Sequence, residues 1–119
     1  VGFIQFCIDE VCTLSHVRNP LPKTEHSLTL WDKTPKHLKS QTPSRGAIAV
    51  WQFYREGKPT MQGHVGLVNN FTPTTFFSIE ANTSSGTGIS REGDGVYMRM
   101  RSRKSTDSFK LLGFIQIWA

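Results

Sequence analysis

The sequence predicts an α+β fold, with an N-terminal helix packed on an antiparallel sheet of about five or six strands. Two observations carry that reading. Apolar residues recur at helical spacing over residues 1 to about 14, and after Arg45-Gly46 the pattern changes to short apolar or alternating runs separated by turn residues. With no internal repeat and no linker-like stretch, residues 1–119 are expected to form one domain.

Taken in order, Ile4, Cys7, Ile8 and Val11, flanked by Phe3 and Leu14, make one stripe of the first helix, with Asp9 and Glu10 on its solvated side. Between His16 and Gly46 the chain is broken by Pro20, Pro22, Pro35 and Pro43. This stretch reads as irregular wrapping loops around one short helix, capped by Thr24 and running towards Trp31. Residues 47–54 are a compact apolar strand, followed by a turn at Gly57-Lys58-Pro59. Residues 63–69 and 75–82 are two further strands joined around Thr72-Pro73, and residues 83–95, rich in Ser, Thr and Gly, are expected as a long mobile loop. In residues 96–101, Val96, Met98 and Met100 alternate with Tyr97, Arg99 and Arg101, and residues 109–118 form the last, apolar strand.

A hydrophobic content of 37%, with 8 Phe and 3 Trp, belongs to a globular chain rather than a disordered one. The length allows a core without disulfide or metal staples. No apolar run approaches the ~20 residues of a membrane helix, and no basic-then-apolar leader precedes a small-residue cleavage site. The chain opens on Val1 rather than Met, so sequence upstream of it is expected. A net charge of +5 favours a polyanionic partner, whether nucleic acid, an anionic wall polymer or a membrane surface, without choosing among them. Cys7 and Cys12 are the only cysteines; five apart on a helix, their side chains diverge around the axis, so no disulfide joins them. Two free thiols suit a reduced compartment.

The chemistry is concentrated in the hairpin around Thr72-Pro73. Antiparallel partners across that turn have residue numbers summing to about 144–146. His64 therefore faces Glu80, or Asn82 as a diagonal neighbour, and strand alternation puts Glu80 and Asn82 on one face. Cross-strand Cβ atoms lie roughly 4.5–5.5 Å apart, within reach of an imidazole–carboxylate or imidazole–amide contact. A histidine oriented by an acid or an amide is two-thirds of a nucleophile–base–orienter triad. Gly63 and Gly66 bracket His64 and would leave room for a substrate. The same residues also fit a surface histidine paired with a carboxylate for modest stability.

Four segments, in order, resemble the cysteine- and histidine-dependent amidohydrolase/peptidase (CHAP) domains of the papain-like superfamily. Val1-Gly2-Phe3-Ile4 resembles the start of the helix that follows that family's nucleophilic Cys. Pro43-Ser44-Arg45-Gly46-Ala47-Ile48-Ala49-Val50-Trp51 resembles its strand after a Pro-x-x-Gly-Asp turn, with Ala47 in place of the Asp. Gly63-His64-Val65-Gly66-Leu67-Val68 resembles its catalytic-His strand, and Ile79-Glu80-Ala81-Asn82 the strand that completes the site.

The resemblance implies a papain-like fold and a peptidoglycan hydrolase of the phage-lysin, autolysin or toxin-effector kind. Such an enzyme cleaves a stem-peptide or cross-bridge amide, as N-acetylmuramoyl-L-alanine amidase or endopeptidase, through a cysteine thioester. His64 would be the general base, Glu80 and Asn82 its orienting groups, and Trp51, on a strand neighbouring that of His64, a substrate-groove residue. The family's nucleophile would fall immediately before Val1, at the head of the first helix, where the dipole and free N–H groups lower a thiol's pKa. Cys7 is the alternative nucleophile, but it lies two turns along, about 10 Å by helical rise, and reads as a core residue.

The resemblance also places the protein at the bacterial cell wall, as a monomer with no membrane span and no cofactor. Nucleic acid is not the expected partner. His16, His26 and His37 have no metal-ligand spacing to a Cys, so no zinc site is expected, and no Asp-rich run suggests calcium. Arg99, Arg101, Arg103 and Lys104 read as a solvated strand face that could touch anionic wall polymers. A non-catalytic basic binding module using that row, or a degenerate relative lacking the nucleophile, are the competing functions.

Overall fold

Ile4, Ile8 and Cys12 follow one another at four-residue intervals, and that spacing makes one side of α1 (Gly2–Leu14) the side buried in the core. In the computed structural model, which describes residues 1–82 and 95–118, this stripe packs on Ile48, Val50, Val65 and Ile115 of the sheet, with Leu21 and Leu30 beside it. The stripe differs from the expected one in its last member. Val11 is exposed, Cys7 is half-buried and Cys12 is buried, because the contact line follows the i+4 ridge rather than stepping back to i+3. Both cysteines are free.

The wrapping segment holds α2 (Ser27–Lys33), a 3-10 turn at Lys36–Leu38 and a two-residue strand, β1 (Lys39–Ser40). The cap of α2 is His26, which accepts from the Thr29 N–H, rather than Thr24; the Thr24 hydroxyl accepts one step earlier, from the N–H of His26.

Five longer strands follow: β2 (Ile48–Arg55), β3 (Lys58–Phe71), β4 (Thr75–Asn82), β5 (Gly95–Ser102) and β6 (Phe109–Ile115). They join β1 in one six-stranded antiparallel sheet of order β1-β6-β2-β3-β4-β5. The α+β class and the N-terminal helix on an antiparallel sheet are therefore as expected. The β2–β3 turn sits one residue earlier than expected, at Glu56-Gly57, both with positive φ as a tight right-twisting hairpin requires. Lys58 and Pro59 already belong to β3. The Ser/Thr/Gly-rich loop expected over 83–95 falls, up to residue 94, outside the described residues.

Strand β2 is central, and its residues Ile48, Ala49, Val50 and Trp51 are all buried, which explains why this run is continuously apolar rather than alternating. Ile48 and Val50 face α1. Ala49 and Trp51 belong to a second cluster with Ala47, Val68, Phe76 and Phe114, partly covered by Phe109 and Leu111. The sheet curls towards this second cluster, bringing Arg101 of β5 over the ring of Phe109 of β6. Ala47, which stands where the resembled turn has Asp, is fully buried here as a member of this apolar cluster.

Candidate active site

His64 is held on β3 with Trp51 as its direct partner on β2, their ring centroids 5.6 Å apart. On the other side, β4 pairs with β3 through Leu67–Ile79 and Val68–Ser78. Continued along the strands, this register sets Glu80 opposite Gly66, so Glu80 reaches His64 as the diagonal neighbour. This register lies at one end of the expected range, and the bulge between Val68 and Asn70 sets it, bringing Glu80 onto the same face as His64. The contact itself is short, with His64 Nε2 and Glu80 Oε1 2.6 Å apart.

Glu80 is 1% exposed, and a carboxylate so placed needs cationic partners. Arg101 supplies two hydrogen bonds, Nε to Oε2 at 2.8 Å and Nη2 to Oε1 at 2.5 Å. Its guanidinium is itself clamped, with Cζ 5.3 Å from the ring centres of both Trp51 and Phe109. Arg99 Nε stands further off, 3.9 Å from Oε1. Burial works to raise the Glu80 carboxyl, but the hydrogen bonds from Arg101 and His64 outweigh it and hold the pKa down to about 2. Glu80 is therefore an acceptor-only carboxylate at neutral pH. A neutral His64 must then carry its proton on Nε2, leaving Nδ1 as the unprotonated nitrogen.

His64 is a wall shared by two cavities. One, of about 330 Å³, is lined by Val1, Gly2, Phe3 and Ile4 at the head of α1 together with Ser27, Gly63, Val65 and Ala81. The other, of about 290 Å³, lies on the β5 side, between Phe53, Phe109, Arg99, Arg101 and Glu80. Neither Cys7 nor Cys12 lines either space. Among the described residues, no three His, Cys, Asp or Glu side chains converge as a metal-binding group, and no helix is long and apolar enough to cross a membrane.

Several sequence expectations change in detail. Trp51 is 2% exposed and packed against His64, Phe76 and Phe109, so it supports the imidazole from below rather than offering a ring face to a substrate. At Gly63 and Gly66 the position that a side chain would take is already filled by neighbours. A Cβ on Gly66 would fall 1.9 Å from Ser78 Oγ, and one on Gly63 would fall 2.8 Å from Leu28 Cδ2, so both glycines permit close packing of neighbours. Asn82 ends β4, paired with Gly95, and its side chain lies outside those described.

Arg101 is the residue that sequence reasoning missed. Strand β5 alternates as expected, but Arg99 and Arg101 are on the face turned towards Glu80, while Val96, Met98 and Met100 are exposed. The buried negative charge of Glu80 explains this inversion, and the one charged residue in an otherwise uncharged strand was the available signal for a cationic partner.

No family model matches the chain, and no curated protein or solved structure is significantly similar to it.

Proposed function

We propose that this chain is the greater part of a papain-like cysteine hydrolase domain that cleaves an amide bond in peptidoglycan. The observation that carries the reading is the placement of His64. Its Nε2 is tied to the buried Glu80 at 2.6 Å, and its ring borders a cavity whose far side is the head of α1. A cysteine attached directly to Val1 would enter that cavity. This is where the resemblance to CHAP domains puts the nucleophile.

The mechanism follows from these groups. His64 Nδ1 takes the thiol proton, and the thiolate attacks the amide carbonyl carbon, moving the carbonyl electron pair onto oxygen. Glu80 holds the ring and balances the imidazolium, in turn held by Arg101. The first intrahelical bond of α1 runs from Gln5 N–H to Val1 O. The N–H groups of Gly2, Phe3 and Ile4 precede it, and they are the donors proposed for the oxyanion. Collapse of the intermediate expels the amine, protonated by His64. Water, deprotonated by the same nitrogen, then cleaves the thioester to a carboxylic acid and regenerates the thiol.

The test is release of new amino groups from purified cell-wall sacculi by the chain carrying the cysteine proposed before Val1. The expected result is turnover that His64→Ala lowers by about 10²–10⁴-fold with the circular-dichroism spectrum unchanged. Undiminished release by that variant would refute the assignment. Wall binding without any release would point instead to a non-catalytic module on the same groove.

A further inference from the structure

Resting on the hydrolase reading, we infer that the β5-side cavity is a subsite for a free carboxylate on the substrate peptide, with Arg99 as its anchor. Two guanidinium groups on β5 face a single carboxylate. Arg101 satisfies that carboxylate by itself, with two short hydrogen bonds and aromatic rings against its guanidinium. Arg99 is left at 3.9 Å from Glu80, beyond hydrogen-bonding distance, and is 45% exposed at the cavity edge. With Glu80 ionised, the two guanidinium groups leave the walls at least one positive charge in excess. Arg99 Cζ lies 5.6 Å from the centre of the Tyr97 ring, a contact that leaves the N–H donors of the guanidinium without a hydrogen-bond acceptor among the described residues.

The shape fits the same ligand. A space of about 290 Å³ accommodates one amino-acid-sized group, and Phe53 and Phe109 give it apolar sides. A planar fork of N–H donors at its edge matches a carboxylate in both geometry and charge. Because His64 separates this cavity from the one at the head of α1, a peptide whose scissile amide lies over the imidazole would place a neighbouring residue here. The substrate class is therefore a wall peptide bearing a free carboxylate next to the cleaved bond, distinguished from the same peptide with that group amidated.

The experiment is a binding titration of the natural chain with L-Ala-γ-D-Glu-L-Lys and with its counterpart carrying a carboxamide on the D-Glu α-carbon, followed by calorimetry. One charge-assisted pair at a partly exposed site predicts about tenfold tighter binding of the acid. The margin should shrink with added salt and disappear in Arg99→Gln. Equal affinities for acid and amide, no binding of either, or a preference that survives Arg99→Gln would each overturn the inference. The outcome is separable from that of the hydrolase reading. Acid preference without wall cleavage keeps the subsite and removes the reaction. Cleavage without acid preference keeps the reaction and removes the subsite.

Discussion

Replacing Glu80 by Gln removes one charge and almost no volume from a buried group held by three side-chain hydrogen bonds. Glu80 is 1% exposed, accepts two hydrogen bonds from Arg101 and touches His64, with Arg99 as the remaining charged neighbour from β5. Its carboxyl is lowered from an ordinary 4.5 to about 2, a difference worth roughly 3 kcal/mol of folding stability. The folded pKa lies below the unfolded one, so this stabilisation is present in full above about pH 5. It is lost as the pH falls from 4.5 towards 2, where the protonated acid resembles the amide. Urea unfolding followed by tryptophan fluorescence should therefore give a gap between parent and Glu80→Gln of about 3 kcal/mol at pH 7. The gap should close progressively below pH 4.5. A gap under about 1 kcal/mol at neutral pH, the value typical of an exposed pair, or one that does not change with pH, would refute the argument that Arg101 and His64 hold an ionised Glu80.

Other expectations concern packing. Gly66→Ala sets a methyl group against Ser78 Oγ and Glu80 Cγ and should cost about 1–3 kcal/mol in urea unfolding. A neutral result would mean that β3 and β4 are further apart than described. Ser78 Oγ is buried without a hydrogen-bond partner among the described residues, so Ser78→Ala should be neutral or raise the melting temperature. On α1, Ile8→Ala should cost about 2–5 kcal/mol, while Val11→Ala, on the exposed side, should stay within about 0.5 kcal/mol. The reverse order would restore the stripe first read from the sequence.

What the sequence made legible was local order and the first cross-strand pair. The helix of residues 1–14, the strands after Gly46 and the partnership of His64 with Glu80 all follow from periodicity and one short turn at Thr72-Pro73. Two positions on α1 were ambiguous because i+3 and i+4 continuations are equally helical, and only packing against β2, β3 and β6 selects Cys12 over Val11. β1, at two residues, is too short to carry a pattern. Arg101 was hidden for a different reason. It lies 21 residues from Glu80 across a long connection whose length sets no register, and an Arg/Met alternation does not reveal which face is turned inwards when the apolar one is exposed. The buried state of Trp51 was likewise invisible, since the rings against it come from β3, β4 and β6.

The central proposal is a thiol at the head of α1 facing His64, and site-resolved thiol labelling tests it most directly. The natural chain would be treated briefly with iodoacetamide at neutral pH, with and without wall fragments, and the modified positions located by mass spectrometry. A third cysteine, immediately before Val1, is expected to label faster than Cys7 and Cys12, to be protected by wall fragments and to slow in His64→Ala. A chain with no cysteine at that position, or one whose only fast thiol is Cys7, would contradict it.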